Sequence, residues 1–206
     1  MREDKIQFIN DAVLGIYSLG LTPYAFPVDL QTLIKNLYAC EYRSYQALAK
    51  LCGIRVCDVI RSFRSADGCT HRGRQTGQFL ISVNEEGRSP GRIRWTTAHE
   101  IGHVVIGHFD EIEEEYLPEN QRMEAEADYF AANLLAPFSA IEQFHICSAA
   151  KIRDFFGLSY AAAEQRWREY RAYQRALYGW NTNPPTKLKT RKPPDIWPDD
   201  DDPWYT

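Results

Sequence analysis

One segment constrains the fold more than any other, because it must be buried on one side while carrying three ionisable side chains. Residues 97–108 read TAHEIGHVVIGH, with the apolar spacing of a buried helix at Ile101, Val104 and Val105. His99, Glu100 and His103 lie in the same segment. Burying such groups costs free energy unless they are paired or have a role. The segment therefore predicts a buried helix that carries a functional site.

The polar residues of this helix form the pattern HExxH. Side chains four residues apart lie on one face of a helix, so His99 and His103 can both reach one tetrahedral zinc ion. Glu100, next to the first histidine, can hydrogen-bond a water molecule at that ion. The pattern predicts one Zn²⁺ per chain, with Glu100 as the general base.

A catalytic zinc site needs a third protein ligand and an open position. The metzincin arrangement is excluded, because Ile106 and Phe109 stand where it needs glycine and histidine. Downstream, MEAEADYFAANLLAP predicts a second helix with Glu124 and Asp128 on one face. We expect Glu124 to be the third ligand and Asp128 to orient a histidine ligand. Glu126, on a different side of that helix, is the alternative ligand.

These residues predict peptide hydrolysis. Zinc would polarise the scissile carbonyl and acidify a water molecule, and Glu100 would pass the proton of that water to the leaving amine. A strand predicted at residues 92–95, directly before the helix, could pair with an extended substrate.

Three further residues are candidates for the wall of the cleft. His71 and Tyr129 are candidate oxyanion stabilisers. His108 is a candidate substrate-facing group, although a histidine just past a helix end also suits a cap or a surface position. His145 has no partner in the sequence and is assigned no role.

The pattern along the chain predicts an α+β fold, mostly helical, with a small antiparallel sheet beside the HExxH helix, a C-terminal helical pair and a flexible tail. Helices are expected over residues 4–19, after Pro27, at 45–51, 56–63 and 124–135, and as a pair within 149–178 broken at Gly157; a hairpin is expected at 69–71 and 79–83.

These elements suggest one domain over residues 1–179. It would comprise a helical part at 1–66, the sheet and site helices at 67–138 and C-terminal helices at 139–179. Residues 180–206 are rich in proline and aspartate and predict a flexible tail, with Trp197 and Trp204 as candidate anchors.

Composition narrows the class of protein. The formal charge of −4 gives no overall positive field that would attract nucleic acid. The N-terminal segment lacks a secretory signal pattern, and no apolar run approaches the roughly 20 residues that cross a bilayer. We therefore expect a cytoplasmic protein without membrane contact. The five scattered cysteines predict reduced, mostly buried thiols rather than a thiolate metal site.

The paired segments GRIRWTTAHEIGHVVIGH and MEAEADYFAANLLAP resemble the ImmA/IrrE family of metallopeptidases. SADGCTH, FLISVN and FFGLSYAAAEQRWREY are also similar to that family, so the resemblance spans roughly residues 27–173. It implies zinc ligands His99, His103 and Glu124, with Glu100 as base. It also implies a bacterial or mobile-element protein that cleaves a helix-turn-helix repressor and so releases genes for element transfer, phage development or stress responses.

Two other classes of function remain open. ALAKLCGIRVCDVIRSF and KIRDFFGLSYAAAEQRWREY both have the helix, turn and helix pattern of a DNA-binding unit, although ordinary helical hairpins explain them as well. A third hypothesis keeps the zinc but not the hydrolysis, as in a binding protein or an antitoxin-like partner. The intact Glu100 argues against it. The sequence assigns no oligomeric state.

Overall fold

The N-terminal part of the chain is mostly helical, as its apolar spacing predicts, but Cys40–Ser44 form a strand that was not predicted. In the computed structural model, which describes residues 1–111 and 120–178, this part contains α1 (Glu3–Ser18), α2 (Leu30–Asn36), α3 (Tyr45–Cys52) and α4 (Val56–Phe63). The carboxylate of Asp29 begins α2, because it accepts hydrogen bonds from the backbone N–H groups of Gln31 and Thr32.

A mixed sheet of three strands forms within the described residues. The strands are β1 (Cys40–Ser44), β2 (Gly68–Arg72) and β3 (Phe79–Val83), in the order β1-β3-β2. The antiparallel β2–β3 pair confirms the predicted hairpin. The expectation of a purely antiparallel sheet is wrong, because β1 pairs with β3 in parallel. A parallel partner reaches its neighbour through a long crossover, here α3, α4 and β2, and local sequence patterns do not reveal such pairing.

The strand predicted at residues 92–95 is wrong, because these residues belong to the helix that carries HExxH. That helix, α5, spans Pro90–Val105. Ser89 caps it, since its hydroxyl oxygen accepts a hydrogen bond from the backbone N–H of Arg92, and Pro90 takes the first helical position. The cap starts the helix more than two turns before His99, so residues 92–95 are helical and cannot form a strand.

The rest of the described chain is helical. It contains α6 (Gln121–Leu135), α7 (Phe138–Gln143), α8 (Ala149–Phe156) and α9 (Tyr160–Tyr178). The helix predicted at 124–135 and the helical pair broken at Gly157 are confirmed, whereas α7 was not predicted. With its small sheet, the chain has the predicted α+β fold.

The core lies where α5 and α6 pack together and against the sheet and α1. Its fully buried side chains include Ile9, Leu33, Ile81, Ile101, Phe130, Leu134, Leu135, Ile152 and Phe156. The Tyr17 hydroxyl of α1 donates a hydrogen bond to the Leu134 carbonyl oxygen of α6, 2.7 Å away. These contacts hold α5 and α6 in one rigid arrangement.

A smaller apolar cluster lies beneath α3 and α4. Tyr45, Leu48, Ala49 and Val59 are buried there, with Leu80 of β3 packed against them. The first of the two helix-turn-helix-like segments therefore uses its apolar face to cover the sheet, as an ordinary helical hairpin does.

The described residues belong to two units. Met1–Trp167 is one compact unit, and a second begins at Arg168, of which the structure describes residues 168–178. The predicted tail at 180–206, with Trp197 and Trp204, lies outside the described residues, so the predicted domain boundaries stay predictions. Across the residues described, no helix combines the length and apolar character that a bilayer crossing needs.

The five cysteines are free thiols, but the expectation that most are buried is wrong. Cys52, Cys57 and Cys147 are exposed, and Cys40 and Cys69 are partly buried. The exposed cysteines lie at the end of α3, in the first turn of α4 and in the loop before α8. Side chains at helix ends and in loops are covered less by neighbouring elements than side chains on the packed face of a helix.

Candidate metal centre and its cleft

The structure brings His99, His103 and Glu124 together. The Nε2 atoms of the two histidines lie 3.0 Å apart. Glu124 Oε2 is 3.1 Å from His99 Nε2, and Glu124 Oε1 is 3.6 Å from His103 Nε2. One ligand atom from each of the three residues falls within 4.8 Å of the others. Two imidazole nitrogens and a carboxylate oxygen are a donor set typical of catalytic zinc sites, so these three residues could hold a metal ion.

The electrostatics of the site also suit a cation. Burial lowers the pKa of His99, but hydrogen bonds to Asp128 and Glu124 outweigh it and raise that pKa to about 10. Burial and the neighbouring His99 lower the pKa of His103, which favours the neutral form of that ring. The carboxylates of Asp128 and Glu124 thus stabilise positive charge between the donor atoms. A divalent metal ion would supply that charge.

Asp128 lies where the sequence predicts it. Its Oδ1 is 2.9 Å from Nδ1 of His99, on the opposite side of the ring from the ligand atom. A carboxylate in this position fixes the tautomer and the orientation of a ligating imidazole. Glu124 and Asp128 both project from α6 towards α5, because they are one helical turn apart.

Glu100 is buried beside the donors, with 8% of its surface exposed. The Thr70 hydroxyl of β2 donates a hydrogen bond to its Oε2 over 2.7 Å. Burial raises the pKa of Glu100 to about 7, although His99 and the Thr70 hydrogen bond lower it. A carboxyl with this pKa can accept and return a proton near neutral pH.

These groups line a cleft of about 1090 Å³. Phe63, Trp95, Asp67 and Arg92 form part of its wall together with the residues of β2 from Gly68 to Thr70. Asp67 accepts hydrogen bonds from Arg88 over 2.8 Å and from Arg92 over 2.6 Å, which joins the loop before β2 to the start of α5. The cleft is large enough for several residues of an extended peptide.

The alternative ligand and the three other candidates lie elsewhere. Glu126 is buried and contacts His108 rather than the donors, with 3.0 Å between its Oε2 and His108 Nε2. His108, expected at the surface or in the cleft, is instead fully buried behind His103. The Tyr129 hydroxyl donates to Asn10 of α1 over 3.2 Å. His71, on β2, is not among the residues that line the cleft.

His145, to which the sequence assigns no role, is exposed at the end of α7 and outside the cleft wall.

Sequence reasoning missed Thr70 and Asp67. Thr70 occupies an inward position of β2, which strand alternation could have suggested, but only the packing of β2 on α5 reveals that it meets Glu100. The ion pairs of Asp67 span more than twenty residues, and charge alone does not specify them.

The donors from α5 and α6 meet because these helices approach closely at Gly102. A Cβ atom on Gly102 would lie 3.0 Å from Cδ1 of Phe130 and 3.3 Å from Cα of Ala127. We therefore expect Gly102→Val to lower the free energy of unfolding by ~1–3 kcal/mol through overpacking, as measured by chemical denaturation.

Gly15→Ala in α1 is the matched control. A Cβ atom there would meet nothing within 4 Å, so this change should raise the free energy of unfolding by ~0.5–1 kcal/mol. Equal stability of Gly102→Val and the wild type would contradict the close approach of α5 and α6.

A comparison with known protein families supports the metallopeptidase class. Residues 53–168, more than half of the chain, match the sequence model Peptidase_M78, the IrrE N-terminal-like domain. The matched region includes β2, β3, α5 and α6 and therefore every residue of the donor set, whereas α1 and α2 lie outside it. A comparison with curated proteins found no match.

Proposed function

Because the chain belongs to the ImmA/IrrE family of metallopeptidases, we propose that it is a zinc-dependent endopeptidase that cleaves a specific protein. The family match confirms the resemblance drawn from the paired sequence segments. The observation that carries the proposal is the convergence of His99, His103 and Glu124 in a cleft that also contains the buried Glu100.

Each of the convergent residues has its own role in the proposed zinc site. His99 and His103 would hold the zinc through Nε2 and Glu124 through its carboxylate, because these atoms converge. When bound, zinc supplies positive charge that polarises a peptide carbonyl and makes a water molecule more acidic. Asp128 holds the His99 ring in the orientation that points Nε2 at the other donors.

Glu100 is the proton carrier of the proposed reaction. Thr70 donates to Oε2, so we assign proton transfer to Oε1, the oxygen to which Thr70 does not donate. Oε1 would accept a proton from the attacking water and then donate it to the nitrogen of the leaving amine. The raised pKa of Glu100 suits both steps, because the same carboxyl must accept and release the proton.

The substrate strand needs a different partner from the one predicted, since residues 92–95 are helical. We assign this role to β2, which pairs with β3 along one edge and contributes Gly68, Cys69 and Thr70 to the cleft wall. An extended peptide that adds to the other edge of β2 would pass beside Glu100 and the donors.

The proposed substrate is a helix-turn-helix repressor, whose cleavage would release genes of a mobile element, a phage or a stress response. The identity of the proposed substrate rests on the resemblance to the ImmA/IrrE family. The cleft is compatible with a linker segment of such a repressor. A repressor substrate implies that the enzyme acts in the bacterial cytoplasm.

The first test needs no knowledge of the cut site. We expect purified protein to contain about one zinc per chain by elemental mass spectrometry. Incubation with candidate helix-turn-helix repressors should yield, for the true substrate, two fragments whose masses identify the cleaved bond. A chelator should stop cleavage, and added zinc should restore it.

Zinc binding without cleavage of any candidate repressor would favour a regulator that grips its partner without cutting it. A preparation that binds no zinc after supplementation would contradict the proposed function altogether.

A further inference from the structure

His108 is the one histidine of the described chain that is completely buried, and the proposed reaction gives it no role. Its Nδ1 lies 2.9 Å from Nδ1 of His103. Its Nε2 lies 3.0 Å from Oε2 of Glu126. His108 therefore links the back of a proposed zinc ligand to a buried carboxylate.

The end of α5 holds His108 in this place. The helix is capped at Ile106, and Gly107 follows with φ +78, a left-handed conformation that glycine adopts without strain. The backbone N–H of His108 donates to the His103 carbonyl oxygen, and that of Gly107 donates to the Val104 carbonyl oxygen. This pair of bonds is a Schellman motif, which folds the chain back over the last turn. The imidazole of His108 is thereby packed against that of His103.

The distances allow one consistent direction of hydrogen bonding. A neutral His103 that uses Nε2 as a ligand atom carries its proton on Nδ1 and donates it to Nδ1 of His108. His108 must then carry its own proton on Nε2, where it donates to the Glu126 carboxylate. Each ring therefore has a single tautomer that satisfies the whole chain of contacts.

Two cations balance the buried Glu126 carboxylate, which is 3% exposed. Arg122, one turn earlier on α6, lies 3.1 Å from its Oε1. Lys5 of α1 lies 3.4 Å from its Oε2. Glu111 joins the same group, 2.5 Å from Arg122 and 3.7 Å from Lys5. Lys5 belongs to α1, which lies outside the matched residues 53–168, so this contact reaches the matched domain from another part of the chain.

We propose that His108, Glu126 and Lys5 form a positioning chain that fixes the tautomer and orientation of His103, and that α1 thereby supports the metal centre. The inference rests on the proposed function, since it needs His103 to be a zinc ligand. Both proposed histidine ligands would then be oriented by a carboxylate of α6. Asp128 contacts His99 directly, whereas Glu126 acts on His103 through His108.

The tautomers can be read directly in the zinc-loaded full-length protein. Long-range ¹H–¹⁵N spectra of protein labelled with ¹⁵N-histidine should show His108 protonated on Nε2 and unprotonated on Nδ1. The chain has five histidines, so single substitutions can assign each signal. A proton on Nδ1 of His108 would overturn the proposed direction of the chain.

Zinc affinity tests the same contacts without reference to activity. Competition with a chromophoric chelator should show that His108→Gln weakens zinc binding by ~10- to 100-fold, the range for loss of a residue that orients a ligand. Lys5→Met should weaken it less, and Lys5→Arg, which keeps the cation, should restore the affinity of the wild type. Lys50→Met, at an exposed position of α3, is the matched control and should bind as the wild type does.

The outcomes separate this inference from the proposed function. Wild-type affinity in His108→Gln would overturn the positioning chain while leaving the zinc site intact. Weak binding in His108→Gln together with wild-type affinity in Lys5→Met would overturn the part assigned to α1. A wild-type protein that binds no zinc would overturn both the proposed function and the inference.

Discussion

Glu100→Gln is expected to keep the zinc and the fold but to slow cleavage by ~10²- to 10⁴-fold, the usual contribution of a positioned general base. Glutamine has the shape of glutamate, and its carbonyl oxygen can accept the hydrogen bond that Thr70 donates to Oε2. An amide cannot take a proton from water near neutral pH, so the proton transfer is lost while the cleft keeps its form. Fragment yield with the cognate repressor, followed by mass spectrometry, measures the effect.

Glu86→Gln provides the matched control, since Glu86 is an exposed glutamate in the loop between β3 and α5 and does not line the cleft. It should cleave as the wild type does. Zinc content and thermal unfolding must be measured on both variants, so that a loss of metal is not mistaken for a loss of the base. Comparable cleavage by Glu100→Gln and the wild type would exclude Glu100 as the proton carrier.

Glu124→Ala should largely abolish zinc binding. The change removes the only carboxylate in the group of three convergent donors found among the described residues, and two histidines alone leave the ion with too few protein ligands. We expect the zinc dissociation constant to rise by more than the ~10- to 100-fold that follows loss of an orienting residue. Chelator competition and elemental analysis after dialysis measure this rise, and cleavage should fall with zinc occupancy.

The control for this variant is Glu86→Ala, which removes an exposed carboxylate of the same length. Glu124 is 47% exposed at its side chain, so its replacement leaves no cavity and should preserve the fold. Full zinc occupancy of Glu124→Ala after dialysis would mean that the third ligand has been wrongly assigned.

The donor residues could be predicted because their placement depends on helix geometry. His99 and His103 are four residues apart, as are Glu124 and Asp128, and each pair shares a face of its own helix. The placement of Glu126 on another side follows from the same periodicity. Most helix bounds were close for a similar reason, because apolar spacing and flanking glycine or proline are local signals.

The errors have identifiable causes. The strand predicted at residues 92–95 conflicts with a helix start at Ser89 and Pro90, a signal that is present in the sequence and outweighs a short apolar alternation. The parallel pairing of β1 with β3 has no local signal, because the two strands are separated by α3, α4 and β2. The sheet therefore could not be assembled from adjacent segments alone.

His108 shows how a local signal and a tertiary contact combine. Gly107 just after α5 favours a chain reversal, so the sequence could have suggested that His108 folds back towards His103. Its complete burial, and its contact with Glu126 of α6, depend on how α5 and α6 pack. A surface or cleft position was therefore the natural expectation, and it was wrong.

The sequence by itself determined which side chains share a helix face, because the period of the α-helix turns spacing along the chain into direction in space. It thereby identified the candidate metal donors, the proposed base and the aspartate beside His99. The tertiary structure decided which faces meet: the close approach at Gly102 brings Glu124 to the histidines, β2 brings Thr70 to Glu100, and α1 brings Lys5 to Glu126. Such contacts join residues far apart in the chain, and only the packing of the whole core selects them.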